Sequence, residues 1–375
     1  MIEGVKYKVF ADCIGVSGYS RSVIVDFYNY KFEYIPTFIL KVISKKYLEL
    51  SELKNDFGGE VSDIIKEYIV YLVSKNYVFA CPHELINNFP SIDMRFSIPF
   101  KIQNAIIEIK DNKCYFEKVI SDINKMYCGH LQIKWYSKVK ISEINACLKK
   151  VELNSLRSID IVFPDFVELQ LQDIRLLLES YDKISRIFIT QIRESSEIQI
   201  SDSIEKVVLV RNVVNSSDCC GNILSQSFNI NLTSFTESQN HNTCLNRKIC
   251  IDSDGYIKNC PSMKHHYGHI SDTTLAEAIE KPGFKDCWFI KKDDIDVCQD
   301  CEFRHICTDC RAFIKDPNNI YSQPAKCGYN PYIAKWQNEE GWISVEQWRT
   351  ENPGWEEQAI ELRELNKKFV DSNNE

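Results

Sequence analysis

The sequence predicts an α/β protein in three parts, and three observations predict it. β-branched runs give way to helical patterns over residues 1–84. Strand and helix patterns then alternate over residues 100–239, the signature of a parallel sheet. Cysteine is concentrated after that: nine of the sixteen lie between Cys244 and Cys327. A chain of 375 residues is long enough for these units. Its 44% hydrophobic and 26% charged content belongs to a soluble globular protein. The first residues have no apolar h-region, and no stretch is apolar enough to span a membrane. A cytoplasmic protein is therefore expected, where thiols stay reduced and clustered cysteines mean metal or catalysis. The net charge of −8 argues against nucleic acid as the main partner.

In the first part, residues 7–13 and 21–27 are β-rich runs, with Gly15 and Gly18 punctuating their link. Residues 31–35 read as a third strand. Pro36-Thr37 opens a helix with Phe38, Leu40, Val42, Ile43 and Tyr47 turned to a core. A short second helix is expected near 51–57. A third starts at the N-cap Ser62, with Ile65, Tyr68, Ile69, Leu72 and Val73 at helical spacing. Tyr77–Cys81 closes the unit as a strand. Strands followed by three helices form a winged helix-turn-helix plan. Residues 1–90 hold ten Lys/Arg against eleven Asp/Glu, a net of −1, which disfavours DNA as ligand. The plan, with Arg21–Asp26 and Tyr34-Ile35-Pro36, resembles the leader-peptide recognition element of peptide-modification systems. The resemblance implies that a precursor's leader adds a strand to the sheet edge and packs on the third helix. In such β-augmentation backbone hydrogen bonds give affinity and side-chain pockets give specificity. Phe32, Tyr34, Ile69 and Leu72 are the candidate peptide contacts.

In the middle part, β-branched runs lie at 105–110, 131–136, 159–164, 187–192, 207–212 and 228–232. Helical patterns lie at about 114–127, 141–152 and 168–181. Six such strands leading into a cysteine-rich tail resemble the partial barrel of radical S-adenosylmethionine enzymes. That family places C-x3-C-x2-C after the first barrel strand. Here Cys114 stands alone, and no C-x3-C-x2-C occurs in the chain. Gly58-Gly59-Glu60 imitates another motif of the family, but from the wrong part of the chain, where two glycines make a turn. No residue set for binding S-adenosylmethionine is therefore assigned, and no catalytic residue. P-loop, Gly-x-Ser-x-Gly and His-Glu-x-x-His motifs are absent as well.

The tail carries Cys244-x5-Cys250-x9-Cys260, then Cys298-x2-Cys301-x5-Cys307-x2-Cys310, then Cys327. Eight thiols suffice for two four-cysteine sites, and an all-thiolate set selects iron–sulfur clusters or zinc over hard cations. Asp254-Gly255 reads as a two-residue hairpin turn that brings Cys250 near Cys260. Thr274-Leu-Ala-Glu277 is a capping box. His265, His266 and His269 are read as loop residues rather than zinc ligands. Cys13, Cys81, Cys114, Cys128, Cys147, Cys219, Cys220 and Cys287 are read as small buried hydrophobes. After Cys327, the residues Tyr332, Trp336, Trp342, Trp348 and Trp355 precede an amphipathic helix at 356–369, together a brace expected to pack on the barrel.

Residues 240–330 are similar to the SPASM domain, the auxiliary-cluster domain of many radical peptide-modifying enzymes. The Cys-x2-Cys-x5-Cys run, the Cys310-Arg-Ala ending and the Asp-Gly hairpin carry the likeness. It implies two 4Fe–4S clusters, one on Cys244, Cys250, Cys260 and Cys310, the other on Cys298, Cys301, Cys307 and Cys327. Only Thr308-Asp309 separates Cys307 from Cys310, where the family often has three residues. Fully ligated clusters have no open iron, so their role would be structural or electron-relaying.

The whole chain resembles the SPASM-domain peptide maturase of grasp-with-spasm systems. The resemblance implies a leader-recognition unit at 1–84, a degenerate (β/α)6 partial barrel at 100–239, a SPASM domain at 240–330 and a helical tail at 331–375. It further implies an accessory, non-catalytic maturase that binds a ribosomal precursor by its leader and presents the core to a partner ATP-grasp ligase. The alternatives are an atypical radical S-adenosylmethionine enzyme and a zinc-binding regulator.

Overall fold

The computed structural model describes residues 5–45, 47–49, 52, 59–110, 115–151, 156–164, 171–191 and 206–371. The first β-rich run breaks in two. Strand β1 (Lys6–Val9) and strand β2 (Cys13–Ser17) flank a turn in which the Cys13 amide donates to Phe10 O at 3.0 Å. β1 pairs with β5 (Leu48–Glu49) and β6 (Val78–Cys81). β2 instead opens a separate antiparallel meander with β3 (Ser22–Asp26) and β4 (Lys31–Ile35), in the order β2-β3-β4. Gly15 lies inside β2 opposite Ile24, not in the link. Gly18 makes the link, because a Cβ there would sit 2.7 Å from both Arg21 O and Glu302 N.

Helices α1 (Thr37–Ile43) and α2 (Gly59–Ser74) close a core with both sheets, built on Ile39, Leu40, Ile65, Ile69 and Leu72 together with Ile24 and Ile35. α2 is already helical at Gly59, three residues before the expected cap at Ser62. Gly58 and, apart from Glu52, the helix expected near 51–57 lie outside the described residues, as does Cys114.

The middle part is a large parallel sheet. β7 (Asn104–Ile109), β8 (His130–Trp135), β9 (Ser158–Pro164), β10 (Ile184–Thr190) and β11 (Val207–Val210) follow five of the six expected runs. Between them come α3 (Phe116–Lys125), α4 (Ile141–Leu148) and α5 (Leu171–Ser180). In β8, Leu131, Ile133 and Trp135 are buried and alternate with half-buried neighbours, the period-two pattern that marks the run in sequence.

The sixth run, 228–232, is not a strand. Asn231 Oδ1 accepts from the Ser234 amide at 2.8 Å and caps helix α6 (Leu232–Ser238) instead. The sixth parallel strand is β12 (Lys248–Ile251), which joins β7 at the opposite side of the sheet and turns back antiparallel as β13 (Ile257–Lys258). The cysteine region is thus grafted onto the sheet by its own hairpin. The hairpin loop is one residue longer than the two-residue turn read from Asp254-Gly255. The Asp252 amide donates to Tyr256 O at 3.0 Å, leaving three residues between them, and Gly255 takes the left-handed position at φ +91°.

Helix α7 (Leu275–Glu280) starts at the expected capping box: Thr274 Oγ1 accepts from the Glu277 amide at 3.2 Å, and the Glu277 carboxylate accepts from the Thr274 amide at 2.8 Å. Beyond the short strands β14 (Tyr329–Asn330) and β15 (Lys335–Trp336) come α8 (Val345–Glu351) and α9 (Trp355–Asp371). Among the described residues the tryptophan brace clusters with Tyr19 and Val297 rather than with the parallel sheet. Tyr332 stacks on Trp348 at 4.5 Å, Tyr19 of the N-terminal unit meets both rings edge-on, and Ser17 Oγ donates to Leu362 O at 3.1 Å. Among the described residues no helix is long and apolar enough to cross a membrane.

Candidate metal centres

The β2-β3-β4 meander lies directly on the second cysteine group. Ile14, Val16, Val23, Val25 and Phe27 share one core with Phe303, Ile306 and Tyr329, and Cys301, Cys307 and Cys327 pack against its rim. Polar contacts pin the junction: Arg21 Nε donates to Glu302 Oε1 at 2.8 Å, the Tyr19 amide donates to Asp300 O at 2.8 Å, and Arg304 Nη1 donates to Ser17 O. Burial pushes the Glu302 carboxyl up, against the pull of Tyr329 and Arg21.

Cys298, Cys301, Cys307 and Cys327, the second set implied by the resemblance, all line one hollow. Its walls are aromatic and apolar, with Phe228, Phe303, Tyr329 and Trp336 among them. Cys298 follows Val297, which holds φ +66°. A β-branched residue there stores about 1–3 kcal/mol of strain, a cost that clusters at functional sites. Lys292 enters the same hollow and donates to Cys307 Sγ at 3.4 Å; its ammonium also lies 3.9 Å from Asp309, which Arg311 holds at 2.8 Å. Burial pushes the Cys298 thiol up to about 12 even beside Lys292, and lifts Cys301 and Cys307 as well. Left to themselves these groups stay protonated; a bound cation would displace the protons, so uptake should be coupled to proton release.

The first set is carried by the hairpin. Cys250 is fully buried in β12 and Cys260 follows β13. Cys250 feels the charge of Cys260, and Cys260 and Cys310 both feel Cys244. Lys248 Nζ donates to Cys244 Sγ at 3.2 Å. Burial alone would lower the Lys248 ammonium, but Cys244 and Cys260 outweigh it and the net shift is upward. Among the described residues no three His, Cys, Asp or Glu side chains stand at metal-binding distance. What fits a cluster or zinc is the donor chemistry: thiols gathered as neighbours, each group beside a lysine.

His265, His266 and His269 lie on the loop after Cys260, where His269 Nε2 meets Asp254 O at 2.9 Å. Of the candidate peptide contacts, Phe32 and Tyr34 lie on one face of β4, 5.6 and 6.1 Å from the Phe303 ring, and Tyr34 is half exposed under the Arg21 guanidinium at 3.7 Å. Ile69 and Leu72 are wholly buried in the core of the N-terminal unit. Cys13, Cys81 and Cys128 are buried as expected, but Cys219 and Cys220 are exposed. Cys220 belongs to a strap beside the first group: a Cβ on its neighbour Gly221 would lie 3.0 Å from Cys310 Sγ, and Lys326 Nζ holds Cys220 O at 2.7 Å. Lysines 248 and 292 escaped the sequence reading because a lysine between cysteines looks like any surface residue until its contacts are known.

No protein-family model matches this sequence, and neither does any curated protein. Among solved structures the chain is similar to Streptococcus suis SuiB bound to precursor peptide SuiA, at 9% identity over 85% of this chain and 98% of that one, with a TM-score of 0.31. Streptococcus suis SuiB bound to S-adenosylmethionine matches at 10% identity over 82% and 96%, with a TM-score of 0.29. TM-scores of this size do not establish a shared fold.

Proposed function

We propose that this protein is a peptide-maturation factor. Its cysteine-rich tail holds two 4Fe–4S clusters, and its N-terminal meander takes a precursor's leader as an added strand, presenting the core peptide to a partner ATP-grasp ligase. The observation that carries the reading is the shared hollow: Cys298, Cys301, Cys307 and Cys327, thirty residues from first to last, face one space beneath the β2-β3-β4 sheet. The strand order supports the leader's place. β4 pairs with β3 on one side, and among the described residues no strand covers its other edge. A peptide added there would run past Phe32 and Tyr34, beside the aromatic wall of the cysteine hollow.

Two measurements test this reading. Protein purified without oxygen should carry about eight irons and eight labile sulfides per chain; near-stoichiometric zinc without sulfide would sink the cluster assignment. A labelled synthetic leader, taken from a short reading frame beside the gene, should bind the full chain. Tyr34→Ala should weaken that binding about tenfold, as loss of an aromatic anchor does. An unchanged affinity would remove β4 as the docking edge.

A further inference from the structure

The two cysteine groups share a feature that the cysteine spacing does not contain. Each has one lysine, half-buried Lys248 and buried Lys292, whose ammonium donates to a thiol: Lys248 to Cys244 Sγ at 3.2 Å, and Lys292 to Cys307 Sγ at 3.4 Å. They come from unrelated elements, Lys248 from β12 and Lys292 from a short turn at Lys292–Asp294. Lys292 is only 5% exposed. A buried ammonium costs several kcal/mol unless an opposite charge meets it; Asp309 meets Lys292 only in part, at 3.9 Å, and neutral thiols do not supply the rest. Four thiolates around an iron–sulfur core do, because the assembly is net negative and gains one further negative charge on reduction.

The balance of charge differs between the groups. Lys292 shares its ammonium with Asp309 at 3.9 Å. For Lys248, among the described residues, the hydrogen-bond partner is the Cys244 sulfur.

We propose that Lys248 and Lys292 are the charge partners of the two clusters, one for each, and that their N–H···S bonds stabilise the reduced form and raise its reduction potential. Hydrogen bonds to cluster sulfurs and nearby charge are the protein's usual means of setting that potential. This inference rests on the reading of the cysteine groups as 4Fe–4S sites. Lys248 should act more strongly, because Asp309 offsets part of the charge of Lys292.

The test is spectroelectrochemical titration of the full chain, with iron and sulfide counted on each sample. In Lys248→Met one of two couples should fall by at least a tenfold change in its reduction equilibrium, 59 mV for one electron, while Lys248→Arg stays near the parent value. Lys292→Met should shift the other couple less. If Lys248→Met loses about half its iron and Lys248→Arg keeps it, the ammonium is needed to hold the cluster's charge and the proposal stands. Fully loaded Lys248→Met with unshifted couples overturns it. So does equal iron loss in both variants, which marks a packing role. A parent protein without iron or sulfide fails the cluster reading itself, an outcome distinct from all of these.

Discussion

Replacing Cys301 with serine should empty the second metal site and loosen the N-terminal unit with it. Serine is a poor iron ligand, and the free energy of a four-thiolate metal site, on the order of 10 kcal/mol, is largely folding free energy. The hollow around Cys301 is walled by Phe303, Tyr329 and Trp336, which also form the floor of the β2-β3-β4 sheet. Iron should therefore drop from about eight to about four per chain. The near-ultraviolet dichroism of the aromatic cluster should weaken and leader affinity should fall. Cys287→Ser, at a cysteine outside both sets, should do none of this. Retention of all iron and of the unfolding midpoint in Cys301→Ser would remove Cys301 from the ligand set.

What the sequence made legible follows the physics of each signal. Five parallel strands could be placed because their runs are β-branched: Ile159–Pro164 is buried along most of its length, and the β8 run alternates with period two. The Thr274 capping box was legible because it is a local, two-bond device. The strand misplaced at 228–232 shows the opposite case. Phe228 and Ile230 are apolar because they pack against the Phe303 core, not because they pair in a sheet, and the Asn231 cap decides the backbone. The break between β1 and β2 carries no glycine or proline to announce it. The cysteine sets were legible by spacing, yet spacing could not show that the N-terminal sheet sits on one of them. That junction depends on residues far apart in the chain, such as Arg21 and Glu302, whose partnership is purely tertiary. The same is true of Lys248 and Lys292, whose importance lies in the thiols they reach.

Removing Arg21 should destabilise the junction by about 3 kcal/mol, the lower end for stripping one partner from a buried ion pair, since the Arg21 side chain is itself 29% exposed. The Glu302 side chain is fully buried; its carboxylate accepts from Arg21 Nε at 2.8 Å and from the Tyr329 hydroxyl. Among the described residues its Oε2 has no hydrogen-bond partner, so little else compensates the charge once the guanidinium has gone. Burial already raises the Glu302 carboxyl above its ordinary range, and Arg21 is among the groups that restrain the rise. In Arg21→Ala the folded-state value should climb further while the unfolded value stays ordinary. A group raised in the folded state supplies its stability below the unfolded value and loses it as pH rises through the folded one. The deficit of Arg21→Ala should therefore be small near pH 4, where Glu302 is protonated in both states, and grow to its full size toward neutral pH. Glu302→Gln, which removes the charge and keeps the shape, should recover most of the loss when combined with Arg21→Ala. Chemical denaturation of the single and double variants across that pH range decides the matter. A deficit independent of pH and untouched by Glu302→Gln would mean that Arg21 acts through its stacking on Tyr34 and not through the buried carboxylate.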